Sequence, residues 1–151
     1  MKHVVFSDVH GNLEALEAVL AHAGRDDVAS YVCLGDLVGY GANPNECIER
    51  LRAIEGAVCL KGNHDAATVD EAQRTFFHEV ALEGVRFSEK ALTPENREFL
   101  EKLPYAYDAG TFLAVHASPF RPEAWEYVLD QAGAERAFAS MGAHHVAFIG
   151  H

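Results

Sequence analysis

An α/β fold is predicted by three observations along this chain: short apolar strands, amphipathic helices between them, and small polar loops closing each strand. Residues 3–7 (HVVFS) read as a first buried strand, and Leu13, Leu16, Val19 and Leu20 follow at helical spacing with Glu14 and Glu17 opposite. Residues 30–34 (SYVCL) read as a second strand. A glycine-rich loop then leads to Asn43-Pro44, an N-cap and first-turn pair that opens a helix running to about Ile54. Residues 57–60 (AVCL) read as a third strand. This β-α-β-α-β order calls for right-handed parallel crossovers and a sheet with helices packed against it.

Further along, Phe76, Phe77, Val80, Ala81, Gly84 and Phe87 suit the buried face of a longer helix, with Glu83 and Arg86 on its outer face. Thr93-Pro94 marks another helix start. Residues 105–108 and 111–115 suit a hairpin around Ala109-Gly110, 130–141 a helix, and 145–149 (HVAFI) a last strand. No internal repeat or linker interrupts the 151 residues, a length that supports a real core in one domain covering 1–151.

Composition narrows the function classes. Hydrophobic residues at 49% and charged residues at 23% are ordinary for a globular protein. The first strand begins at once, and the apolar runs are too short for a bilayer, so neither signal peptide nor membrane partner is expected. Cys33, Cys47 and Cys59 are odd in number and set among apolar neighbours, which predicts buried thiols in a reducing cytoplasm. A formal charge of −11 argues against capture of nucleic acid by a general field. It leaves phosphorylated small molecules open, because bound cations reverse the local potential.

The chemistry sits at the strand ends. Strand one ends in Ser7-Asp8-Val9-His10-Gly11-Asn12, strand two in Gly35-Asp36-Leu37-Val38-Gly39, and strand three in Lys61-Gly62-Asn63-His64-Asp65. The segment 111–115 ends in His116-Ala117-Ser118, and 145–149 in Gly150-His151. Open α/β sheets bind ligands at the carboxyl ends of their strands, so five such ends predict one site. Carboxylate and imidazole together favour Mn, Fe, Zn or Co over Ca. Asp8 and His10, two apart on an extended segment, project to one side and can grip one ion. Asp36 has two oxygens and can bridge two ions, while Asn63 offers a neutral carbonyl oxygen that does not repel phosphate.

Taken in order, Asp8-x-His10, Gly35-Asp36, Gly62-Asn63-His64-Asp65, His116 and Gly150-His151 resemble the signature of the calcineurin-like metallophosphoesterases, over almost the entire chain. The resemblance implies a mixed β-sandwich flanked by helices and two divalent metal ions, Mn first, with Fe, Zn, Co or Ni as alternatives. Asp8 and His10 would hold the first ion, Asp36 would bridge, and Asn63, His116 and His151 would hold the second. A hydroxide bridging the ions would attack phosphorus in line. His64 would protonate or stabilise the leaving oxygen, oriented by Asp65, since imidazole titrates near neutrality. Asn12 and Arg121 are further candidates for substrate contact.

Two departures qualify the resemblance. The serine/threonine phosphatase branch carries Asp-Arg-Gly where this chain has Gly39-Tyr40-Gly41, and the stretch from Gly35 to Pro44 is closer to small bacterial phosphodiesterase-like members. The family also continues Gly-His-x-His, whereas this chain stops at His151. That implies a truncated chain lacking C-terminal strands, or a first ion short of one ligand; an open sheet edge would favour a homo-oligomer.

The expected function is hydrolysis of a phosphodiester or phosphomonoester, small or nucleotide-like. The alternative is a catalytically impaired metal-binding scaffold of the same fold, against which the complete run of ligand types stands. Plainer duties compete at single positions: Asp8, Asp36 and Asn63 as turn formers, Asp65 as a helix cap, Trp125 and Tyr127 as packing. His3, His22, His78, His144 and His145 have no motif context and read as surface or packing residues.

Overall fold

The computed structural model describes residues 2–24, 27–75 and 77–151. Its first sheet is parallel, in the order β1 (Lys2–Phe6), β2 (Val28–Cys33) and β3 (Val58–Cys59). The crossovers are α1 (Leu13–Ala23) and α2 (Pro44–Arg52). After β3 the chain runs through α3 (Asn63–Val69), a 3₁₀ turn at Glu71–Arg74, α4 (Glu79–Ala91) and α5 (Pro94–Glu101). A second sheet follows, in the order β4 (Ala106–Asp108), β5 (Leu113–Val115) and β6 (Ala147–Phe148). In it β4 and β5 form the expected hairpin, and β6 joins β5 in parallel. Between β5 and β6 lie a 3₁₀ turn at Pro122–Ala124 and α6 (Gln131–Ala139).

Alternation along β2 sorts the core into two layers. Cys33 packs with Leu16, Leu20, Ile48, Leu51 and Leu100 on the helix side. Val32 and Leu34, its neighbours in sequence, point the other way, to Leu60, Phe112 and Ala114 between the two sheets. This is the sandwich flanked by helices. Side-chain caps fix the helix starts: Asn12 Oδ1 accepts from Ala15 N–H at 3.0 Å, and Thr93 Oγ1 from Asn96 N–H at 3.2 Å.

Several expectations are corrected. The strand expected at 57–60 pairs in register only over Val58–Cys59; Leu60 N–H still reaches Cys33 O at 2.9 Å, and Lys61 N–H then turns away to the carbonyl of Pro104 at 2.8 Å. The strand expected at 145–149 pairs only over Ala147–Phe148. Val19 is exposed on α1. The long helix expected from Phe76 starts later, at Glu79, capped by the His78 side chain; Phe76 itself lies outside the described residues. Val80 and Phe87 are exposed, and the buried stripe is Ala81, Gly84, Val85 and Ser88. These small residues let α4 come close to the loop after β2. A Cβ on Gly84 would meet Tyr40 N at 2.3 Å, and Ser88 Oγ accepts from Gly39 N–H at 3.1 Å. Proximity outranks bulk on this helix.

Cys33, Cys47 and Cys59 are buried free thiols, and burial pushes Cys47 and Cys59 up to about 12, which makes them poor nucleophiles at neutral pH. Among the described residues no helix is long and apolar enough to cross a membrane.

Candidate metal centre

The loops after β1 and β2 meet because the ladder bonds continue past the strand ends. Asp8 N–H donates to Gly35 O at 3.0 Å, His10 N–H to Asp36 O at 2.8 Å and Gly11 N–H to Leu37 O at 2.8 Å. The loops after β5 and β6 join through Gly150 and His151 N–H, both donating to His116 O.

Asp65 ties the second and third loops together. Its Oδ2 accepts from Asp36 N–H at 2.8 Å and Gly62 N–H at 2.9 Å, and its Oδ1 from Leu37 at 2.9 Å and Val38 at 3.2 Å. Burial, joined by the Asp36 charge, pushes this carboxyl up, and the backbone donors pull it back. With two N–H groups on each oxygen, the geometry is that of a carboxylate. The orienting role expected for Asp65 is therefore corrected: it holds backbone, not the His64 ring.

Asp36 sits at the centre. Its Oδ1 accepts from His64 N–H at 2.8 Å. Its Oδ2 faces two imidazoles, with His10 Nε2 at 3.7 Å and His116 Nε2 at 3.5 Å. Each of those rings has its Nδ1 against a backbone carbonyl, Val38 O for His10 and Leu34 O for His116, both at 3.1 Å. Donation from Nδ1 leaves the Nε2 lone pair facing the carboxylate. Asn63 Oδ1 also faces His116 Nε2 at 3.1 Å, and Asp8 Oδ1 lies 3.6 Å from His10 Nε2. With the hydrogen on Nδ1 in each ring, these lone pairs converge on a place that a cation would satisfy.

Among the described residues, two such groups form: His10, Asp36 and His64, and Asp8, Asp36 and His116, each with ligating atoms within 4.8 Å of one another. Asp36 belongs to both, which fits a bridging carboxylate. His151 stands outside them, its ring centroid 5.2 Å from that of His116 and stacked on Tyr127. Asn12 spends its side-chain oxygen on the α1 cap. Arg121 is exposed at the 3₁₀ turn after β5 and is not among the residues lining the cavity beside the centre.

The backbone is strained here. Asp8, His10 and Asp36 all have positive φ, at 57°, 49° and 55°. Asp8 and His10 are thus not the extended pair expected; two left-handed turns bring their side chains together instead. Such residues cost about 1–3 kcal/mol each and persist where surrounding bonds over-determine them. Two glycines clear space: a Cβ on Gly62 would lie 2.1 Å from Asp36 Oδ1, and one on Gly39 2.4 Å from His64 Nδ1.

Charges respond to this crowding. Burial alone would lower His10 and His116, but the carboxylates of Asp8 and Asp36 outweigh it and hold both above 6.5. His64 goes the other way: burial, aided by the charges of His10 and His116 against that of Asp36, lowers it to about 4. It is a neutral imidazole at neutral pH. Its Nδ1 is buried without a partner.

Beside the ligands is a cavity of about 260 Å³ that includes His64, Asn63 and His151 in its wall. Tyr40, Phe77, Trp125 and Tyr127 add four aromatic rings to it, and Gln73, His78, Ala81 and Ala124 complete the lining. The packing duty expected of Tyr127 does not hold, since its side chain is 59% exposed. A larger depression of about 570 Å³, between α2, β3 and α5, contains none of these ligands.

The family model for calcineurin-like phosphoesterases matches residues 1–143. The chain belongs to that family. An uncharacterised protein of Methanocaldococcus jannaschii is 38% identical over 128 residues, covering 82% of this chain and 52% of the relative. The crystal structure of a metallophosphoesterase from Sphaerobacter thermophilus superimposes with a TM-score of 0.82 at 35% identity, covering 99% of this chain and 59% of that one. A hypothetical protein from Pyrococcus horikoshii shares the fold at a TM-score of 0.75 and 21% identity, covering 96% of this chain and 67% of that one. The chain therefore spans between half and three-fifths of the first two proteins' length.

Two outcomes follow from the geometry. Asp65→Asn places an amide against two buried N–H donors, at a cost of roughly 1–3 kcal/mol for each. Urea unfolding of the metal-free variant will show a loss of about 2–6 kcal/mol; a loss below ~1 kcal/mol would mean that the loops are held otherwise. The second concerns pH. Raised histidines stabilise the metal-free fold below pH 6.5, and that contribution is lost as pH rises through their folded values. A cation needs them neutral, so Mn²⁺ affinity must rise over the same range, seen by calorimetric titration. Affinity that stays flat with pH would exclude His10 and His116 as ligands.

Proposed function

We propose that this chain carries the centre of a metal-dependent phosphoesterase, a hydrolase acting on a phosphodiester or phosphomonoester of a small or nucleotide-like molecule. The observation that carries this reading is the Asp36 carboxylate, shared by two ligand groups and faced by two imidazole lone pairs. Family membership supports it independently. Asp8, His10 and Asp36 would hold one divalent ion, and Asp36, Asn63 and His116, with His151 nearby, a second, Mn²⁺ first among those suited to these donors. Such a pair supplies polarisation of the phosphoryl oxygens and a water of lowered pKa.

The protein's own groups do the remaining work. Asp65 and the backbone it binds fix the position of Asp36, so little rearrangement is needed when substrate arrives. With its hydrogen on Nε2, His64 would present a donor there, and its ring is walled by those of His10, Tyr40 and Phe77, with centroids 4.7–4.8 Å away. A neutral imidazole suits donation of a hydrogen bond to the leaving oxygen as its charge develops. An incoming phosphate dianion would draw the ring towards protonation, which supports full proton transfer from Nε2. Three buried free thiols support the expectation of a reducing compartment.

After chelator stripping, addition of Mn²⁺ will restore hydrolysis of bis(p-nitrophenyl) phosphate or p-nitrophenyl phosphate. His64→Ala will lower kcat by roughly 10²–10⁴-fold, the usual contribution of a positioned acid. No turnover with any divalent ion would defeat the reading, and full activity of the variant would remove His64 from the chemistry.

A further inference from the structure

The cavity beside His64 has walls that phosphoryl chemistry alone does not require. Tyr127 lies at its edge, stacked on His151 with centroids 3.9 Å apart and planes at 16°, yet it is 59% exposed. Its ring is therefore not packed into the core, and much of its surface is free. Trp125 and Tyr40 stand in the same wall, both with positive φ, at 57° and 54°. A large aromatic residue rarely adopts that conformation unless its surroundings impose it.

Those surroundings are visible. Gly84 on α4 leaves room for the Tyr40 backbone, and the Tyr40 ring is set edge-on to His10 at 4.9 Å and tilted over His64 at 4.8 Å. Trp125 packs near Tyr105 and His116, with centroids 5.6 and 6.0 Å away, and its indole N–H donates to Gln73 Oε1 at 3.4 Å. Held rings, an exposed stacked tyrosine and a ligand cluster thus border one cavity.

From this we infer that the cavity seats a planar aromatic ring borne by the substrate's phosphoryl group, so that the preferred substrates are aryl or nucleoside phosphoesters. The inference deepens the phosphoesterase reading and rests on it. Size agrees: about 260 Å³ falls below the ~300–1,000 Å³ of sites for whole drug-sized ligands. One ring system fits better than a polymer, as does the net charge of −11, which gives no general field for nucleic acid. With His64 in the cavity wall, a ring on the leaving side would bring the ester oxygen towards Nε2–H.

The test uses the single tryptophan of the chain, Trp125, as a fluorescent reporter in the Mn²⁺-loaded protein. Adenosine monophosphate, phenyl phosphate and ribose 5-phosphate are titrated in parallel, all at concentrations that leave Mn²⁺ saturating. At least one aromatic ligand is expected to bind at least ten-fold more tightly than ribose 5-phosphate, and the tighter of the two tells a nucleobase from a simple aryl ring. Tyr127→Ala is expected to weaken that ligand by roughly 5–100-fold, the worth of one ring stack, with Tyr127→Phe retaining its affinity. Equal affinity for all three, or an unchanged Tyr127→Ala variant, would overturn the inference. Because the titration reads binding without turnover, an inactive but ring-selective protein would fail the hydrolysis reading alone, and an active but unselective one would fail only this inference.

Discussion

A single buried carboxylate, that of Asp65, accepts four backbone N–H groups from two loops that are far apart in sequence. Without it, Asp36 N–H, Gly62 N–H and their neighbours would be buried donors lacking partners. With it, the loop after β2 is fixed against the start of α3, and Asp36 can stand in a left-handed conformation with one oxygen on His64 N–H and the other free. The free oxygen is where the imidazoles of His10 and His116 point. Position of the reactive groups is thus set by backbone hydrogen bonding, and their charge state by the mutual proximity that this bonding enforces.

Strain and close approach are the means by which so many ligands reach one place. Left-handed turns at Asp8 and His10, and missing Cβ atoms at Gly39 and Gly62, bring polar groups nearer than ordinary loops would. The small-residue face of α4 serves the same end, pressing the loop that bears Tyr40 towards the centre. Stability given up at these positions is recovered in the two apolar layers, where Ile48, Leu51, Leu60 and Leu100 are fully buried.

Much of this was legible in the sequence. Strand positions, both crossovers and the hairpin followed from apolar periodicity and turn residues, and the ligand types stood out because each closed a strand. Other features were hidden for physical reasons. Alternation cannot foretell that Asp8 and His10 turn left-handed, since Asp and His tolerate several conformations. The buried face expected on α4 held at Ala81 and Gly84, but hydrophobicity also pointed to Val80 and Phe87, where contact instead selected Val85 and Ser88. The family resemblance implied that Asp65 orients His64; only the fold shows the carboxylate turned to the backbone. That the rings share one cavity was hidden too, because Tyr40 and the Trp125–Tyr127 segment lie far apart in sequence.

The claim on which most depends is that Asp36 is shared by two ions. Electron paramagnetic resonance of the protein loaded with two equivalents of Mn²⁺ tests it most directly, since ions ~3.5–4 Å apart are magnetically coupled. A coupled spectrum that collapses to isolated ions in Asp36→Asn is the predicted result. Isolated Mn²⁺ signals in the unaltered protein, unchanged by that substitution, would contradict it.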